Sequence, residues 1–384
     1  MAKRINGPTL PPQTKIDVQA FSRALDDTTT AYKFLWLLAI LKIVESKNET
    51  VIKFRDISRE MVNLAIPPVY EFKLHFGGND KTKGSDRTKK YLNDIFLNGA
   101  PKREANNAAS VSFSEEEEKR FDKVRRDMEI YVPYRLLTPF FESDLKKLEK
   151  DYERKDEIIK LAAKTFRSKS PPLYRFISDG DNSAIEIHPS WRDYWLSNMA
   201  IVRGWAMWNW ATFLQDRNPS IPGIINKIQH DSPERLMGAQ RDFWKEVIKH
   251  KNGHTTCIYS ENKISFAQCD IDHYIPWSFI GHSHLWNLAP VAKEANRSKS
   301  DRLPADNYLQ ALVNAQHEAL TIRERRFPRK FGKLIDPYYN DLGLSASELM
   351  DETKLFAAYK KLMKPTIAMA QNNQFSPGWR WKNK

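Results

Sequence analysis

A chain of 384 residues with 41% apolar side chains can bury two or three cores, and its 61 Lys and Arg against 48 Asp and Glu leave a net charge of +13 that suits a polyanionic partner. Two cysteines argue against a disulfide framework and fit a reducing compartment, so a cytoplasmic protein is expected. The start MAKRINGPTLPPQTK lacks an apolar signal core, and the longest apolar run, Phe34 to Leu41, is too short for a bilayer, so no membrane association is expected.

Residues 1–22 are Pro-rich and polar and read as a loose arm. Thr30 to Ser46 is a strongly apolar helix fit for the centre of a core. Thr50 to Phe54 follows as a short strand, and Asp56 to Leu64 as a helix capped by Asp56. Such a helix–strand–helix run could serve as a small DNA-binding unit, although packing is the simpler reading. Gly77 to Lys90 is a Gly-containing basic loop whose lysines could follow a phosphate backbone or simply face solvent. Ala105 to Glu118 reads as a linker ending in the acidic first turn of the next helix. Glu115 to Lys164 alternates charge signs and predicts solvated helices broken near Pro133 and Pro139. Trp191 to Leu214 gathers five tryptophans into one helical region, read as core in preference to a base-stacking surface. No phosphate-cradling Gly-rich loop of the nucleotide-hydrolase type occurs, so ATP hydrolysis is not expected.

The densest chemistry lies between Asp270 and Pro304. Thr255 to Asp272 contains two β-rich runs separated by Ser260 to Lys263, a hairpin signal whose end delivers Asp272 and His273. His282 to Val291 is a second extended piece carrying Asn287, with Pro290 stopping any helix. Lys293 to Arg302 then forms a short helix with Asn296 and Lys299 at i and i+3, hence on one face. Phosphodiester hydrolysis needs an activated water and relief of charge on the phosphate and the departing oxygen. A hard cation can be held by one carboxylate and one amide carbonyl, here Asp272 and Asn296, and a neutral imidazole, here His273, can take the proton from water. His282 and His284 fall in a loop and are read as bland or facing substrate.

Beyond this segment Asn307 to Lys333 predicts one helix ending in the basic run RERRFPRKFGK, a candidate for holding DNA or an ordinary solvated surface. A last helix is expected from a Ser345–Glu348 capping box to about Ala370, ahead of a Trp-Arg-Trp-Lys tail that is either disordered or a nucleic-acid contact.

The Asp-x-Asp-His start at Asp270, the Pro-x-Ser-Phe after it, the mid-segment Asn287 and the Asn-Arg-x-Lys-Ser-Asp helix from Asn296 together resemble an HNH (ββα-metal) endonuclease, and most closely the HNH domain of RNA-guided CRISPR effector nucleases. The resemblance spans Asp270 to about Asp306. It implies His273 as general base, Asp272 and Asn296 as metal ligands, Asn287 as the residue orienting the His273 side chain or backbone, and Lys299 as a phosphate contact. It further implies Mg²⁺ or Mn²⁺ as cofactor and DNA as partner. A monomer would nick and a homodimer would cut both strands, in antiphage defence or restriction, with a multi-protein defence complex as a further partner. Many relatives hold a structural zinc with two Cys-x-x-Cys pairs; with Cys257 and Cys269 alone, such a zinc is not expected here. The competing reading is a basic nucleic-acid- or partner-binding protein whose HNH module is structural and inactive.

The expected fold is therefore mainly α with a small α+β module: a polar arm (1–22), a helical N-terminal region for DNA or partner recognition (23–224), an HNH nuclease module (225–310) and a C-terminal helical extension (311–384).

Overall fold

In a computed structural model the described residues are 8–77, 86–97, 99, 101, 111–177, 183–229 and 237–382. Most of the basic loop (78–85) and the first part of the linker (105–110) lie outside them, as do residues 1–7 of the arm. The protein is mainly helical with small antiparallel sheets. Contacts divide it into two compact units, residues 1–219 with 227–231, and residues 220–226 with 232–384. Among the described residues no helix is long and apolar enough to cross a membrane.

The first unit is built round α1 (Tyr32–Ser46), whose residues from Phe34 to Leu41 are all buried, as an apolar sequence with no polar face requires. Next come β1 (Val51–Lys53) and α2 (Phe54–Ile66). Asp56 stands in the first turn of α2, where its charge suits the helix dipole, but the cap position is Lys53 and no side chain caps it. Further along are α3 (Arg87–Ile95), α4 (Glu115–Glu129) with a Ser114–Glu117 capping box, and α5 (Asp151–Thr165). Pro133 and Pro139 open two short helical turns between α4 and α5, so the chain breaks where proline dictates. Strands β2 (Tyr174–Ile177) and β3 (Ala184–Ile187) join β1 in an antiparallel sheet of order β1-β3-β2. Within the helix–strand–helix run of this unit, α1 is buried and β1 is paired in the sheet.

The Trp-rich segment forms two helices, α6 (Pro189–Ser197) and α7 (Met199–Arg217), separated at Asn198, rather than a single one. Trp191, Trp195, Trp205 and Trp210 are buried, with Phe21 packed against the first three, whereas Trp208 is 42% exposed. Four of the five indoles are therefore core.

The second unit starts with α8 (Gly238–His250), followed by β4 (His254–Thr256) and β5 (Lys263–Ser265), a two-stranded ladder. The expected continuation of β5 to Asp272 does not occur. Ser265 and Gln268 form a capping box that turns Phe266–Gln268 into a 3₁₀ turn, and a new strand, β6 (Cys269–His273), begins after it. Its partner is β7 (Leu288–Ala292), antiparallel, with Asp272 opposite Ala289 and His273 opposite Leu288. Helix α9 (Lys293–Lys299) is shorter than expected, ending at Ser300 with φ +52°.

Three long helices complete the unit: α10 (Leu309–Arg326), α11 (Pro328–Leu342) and α12 (Glu352–Asn372). The single helix expected to Lys333 is split because Pro328 disfavours a helical residue before it, and Phe327 is non-helical at φ −138° and ψ 53°. The Ser345–Glu348 bonds form, but just ahead of a 3₁₀ turn (Glu348–Met350) whose own cap position is Ser347; α12 is capped by Asp351, which accepts from Lys354 N, and it continues through Pro365 to Asn372.

Of the Trp-Arg-Trp-Lys tail, Trp379 is part of the core, whereas Arg380 and Lys382 are exposed. Trp379 pairs its backbone with Leu303 and Ala305, and its ring, 5% exposed, meets Tyr259 and Tyr308 edge-on and tilted at centroid distances of 5.0 and 6.1 Å.

Candidate active site

The β6–β7 ladder and α9 bring the expected residues into one neighbourhood. Successive side chains of a strand alternate between faces, so Asp270 and Asp272 share one face of β6. Helix α9 packs on both strands. Asn296 Nδ2 donates to Asp270 Oδ2 at 3.0 Å, and both residues are half-buried.

Asp272 is buried. Tyr259 donates its hydroxyl to Asp272 Oδ2 at 3.0 Å, and Lys299 Nζ lies 3.1 Å from the same oxygen. Burial pushes the Asp272 carboxyl above its usual range, with the Lys299 charge pulling in the opposite direction. Tyr259 is held well above its ordinary value by burial and by the neighbouring Asp272 charge. Lys299 also donates to the backbone oxygen of His273 at 2.8 Å and has no exposed surface. The expected phosphate contact therefore gives way to an internal one: the i+3 spacing from Asn296 is right, but α9 presses this ammonium into the module.

His273 ends β6 and is 6% exposed. Its Nε2 is 3.1 Å from Ser283 Oγ. Gln240 of α8 holds that loop by donating to Ser283 O at 3.0 Å. On either side of Ser283, His282 and His284 stack at 4.0 Å between centroids, and His284 Nδ1 lies 2.7 Å from Asp341 Oδ2, which also accepts from Trp286 Nε1. These two histidines, read from sequence as bland, anchor the loop that touches His273.

Asn287 is fully buried in a 3₁₀ turn just before β7. Its side chain accepts from Ile275 N at 2.8 Å and donates to Ile275 O at 2.9 Å, while its own carbonyl accepts from Tyr274 N at 2.8 Å. It clamps the backbone immediately after His273. The turn is in turn held from the C-terminal helices: Gln316 donates to Leu285 O and Leu288 O, Tyr338 donates to Gln316, and Tyr359 donates to Trp286 O.

Residues 257–305 match the family model described as HNH endonuclease. The chain carries an HNH endonuclease domain. Comparison with curated proteins and with solved structures returns no match. Nothing in the comparisons singles out the branch found in RNA-guided effectors.

Within the HNH domain the donor set fits a hard divalent cation. Asp270 and Asn296 present a carboxylate and an amide at the solvent edge, and Asp272 lies deeper on the same strand face. Among the described residues no group of three or more His, Cys, Asp or Glu side chains is placed to hold a metal. The cysteines are occupied locally: Cys257 Sγ accepts from Ala292 N at 3.3 Å, and burial with the Asp270 charge pushes the Cys269 thiol up to about 11.

Three participants escape a reading of the sequence. Asp270 is signalled only by the Asp-x-Asp alternation. Ser283 and Tyr259 carry no local signal, since their roles arise only when the loop and the β4–β5 turn fold against β6.

Proposed function

We propose that this protein is a metal-dependent endonuclease that hydrolyses phosphodiester bonds in DNA. The observation that carries the reading is the contact between Asp270 of β6 and Asn296 of α9, inside the HNH domain and on the same strand that ends in His273.

His273 is assigned as general base, accepting a proton from the attacking water. Asn287 fixes the chain that follows His273 and so orients it. Asn296 and Asp272, joined by Asp270, would hold Mg²⁺ or Mn²⁺, which when bound supplies positive charge for the scissile phosphate and the departing 3′ oxygen. Lys299 is assigned as the counter-charge of Asp272 and not as a phosphate contact. A single site nicks one strand, and a homodimer of such chains would cut both. The proposed setting is a cytoplasmic antiphage or restriction system, with substrate choice left to the helical N-terminal unit or a partner protein.

The test is incubation of the full chain with supercoiled plasmid and Mg²⁺ or Mn²⁺, beside His273→Ala and an EDTA control. Nicking by the wild type alone is expected. Equal cutting by His273→Ala would remove the base from the mechanism. Metal titration of Asn296→Ala should show weakened affinity, and an unchanged titration would strike Asn296 from the ligand set.

A further inference from the structure

The second unit carries a concentration of positive charge that no interaction within the described residues explains. Arg325 and Arg326 end α10, and Arg329, Lys330 and Lys333 open α11, on the two sides of the bend at Phe327. All five are exposed, and among the described residues none is paired with a carboxylate. Arg329 and Lys333 stand at i and i+4, where like charges destabilise a helix. They project away from Phe331 and Tyr338, the buried residues that seat α11 on the unit. The arrangement thus opposes folding locally and has no internal offset, as expected where an external polyanion supplies one.

Helix α11 also fixes where that charge lies relative to the chemistry. Its far end carries Asp341, bonded to His284 and Trp286 on the loop whose Ser283 touches His273. At 1.5 Å per residue, Arg329 and Asp341 are about 18 Å apart along the helix, a span of roughly five base pairs at 3.4 Å each. Between Lys333 and Asp341 the helix offers a single acid, Asp336. One helix, with Pro337 in its interior, therefore runs from the active-site loop to the cationic bend.

We propose that the α10–α11 bend is a docking surface for the sugar-phosphate backbone of duplex DNA, engaging it about five base pairs beyond the edge of the active site. The proposal rests on the reading of the HNH domain as a DNA nuclease, but its test does not require cleavage. Binding of the full chain to labelled duplexes is measured by anisotropy in EDTA, for wild type and for Arg325→Gln/Arg329→Gln/Lys330→Gln/Lys333→Gln, with circular dichroism confirming the fold. On a duplex of about 20 base pairs the variant should bind at least about tenfold more weakly. The slope of log affinity against log salt should fall by about 0.9 for each phosphate that the variant no longer neutralises. An unchanged affinity and salt slope on this duplex overturns the proposal, as does a loss confined to single-stranded RNA. Because the readout is binding, a chain that binds in this way yet cuts nothing would refute the nuclease reading and leave the surface standing.

Discussion

Lys299 and Asp272 form an ion pair inside the HNH domain, Nζ to Oδ2 at 3.1 Å, with side-chain exposures of 1% and 9%. Removing one partner of such a pair leaves an uncompensated buried charge, at a cost of about 3–5 kcal/mol. Lys299→Met should therefore lower the midpoint of thermal or urea unfolding sharply and leave the salt dependence of DNA binding unaltered. A surface phosphate contact would give the reverse: an unchanged midpoint and a salt slope reduced by about 0.9. Chemical denaturation and anisotropy on the same variant separate the two.

Ser283 is expected to act through His273. Its hydroxyl is the group at Nε2, and Gln240 fixes the backbone that carries it. A hydrogen bond to a neutral ring is worth about 1 kcal/mol net, equivalent to about a fivefold effect on a rate when it orients a catalytic group. Ser283→Ala should lower kcat by about that factor with KM and metal affinity near wild type, and Ser283→Thr should restore most of the loss. A variant changed in KM alone, or a Thr variant as slow as Ala, would assign Ser283 to substrate binding or to packing.

What the sequence discloses and what it withholds differ in physical kind. The buried helix α1, the proline breaks before α5 and the order strand, strand, helix around His273 follow from local apolar pattern and backbone restriction, which any short window contains. The pairing of β6 with β7 is not local: the run from Lys263 to Asp272 looks continuous, and only the Ser265–Gln268 box, visible once folded, divides it. The buried seat of Lys299 is hidden for a similar reason, because a helix as short as α9 has no periodicity from which its inner face can be read. Asn287 lies closer to the legible end, since its clamp on Ile275 reaches only a few residues beyond His273.

Trp379 links the end of the chain to the site. Its ring meets Tyr259, and the Tyr259 hydroxyl donates to Asp272. Truncating a buried tryptophan costs about 3–5 kcal/mol. Trp379→Ala should destabilise the protein by that order and, by loosening Tyr259, lower nicking activity even at temperatures where the variant remains folded. Trp379→Phe, which keeps an aromatic edge against Tyr259, should recover both. Loss of stability with activity per folded molecule intact would show that the tail supports the unit without reaching the carboxylate.

Lys227, in the first unit, provides a pH test independent of the nuclease. It is 1% exposed, its ammonium lies 5.8 Å from the centre of the Phe72 ring, and burial lowers its pKa to about 8. An unfolded lysine titrates near 10.4, so between about pH 8 and pH 10 the unfolded chain binds more protons than the folded one, and this group makes stability rise with pH. Below about pH 8 the cost of burying the charge is fully present. Lys227→Met should remove it, raising stability at pH 7 by about 1–3 kcal/mol over wild type. The difference should shrink as pH approaches 10. Paired urea titrations at pH 7 and pH 9.5 measure it, and because tyrosines that ionise at high pH are common to both proteins, their effect cancels in the comparison. A gap between variant and wild type that stays constant across this interval would mean that Lys227 keeps an ordinary pKa in the folded state.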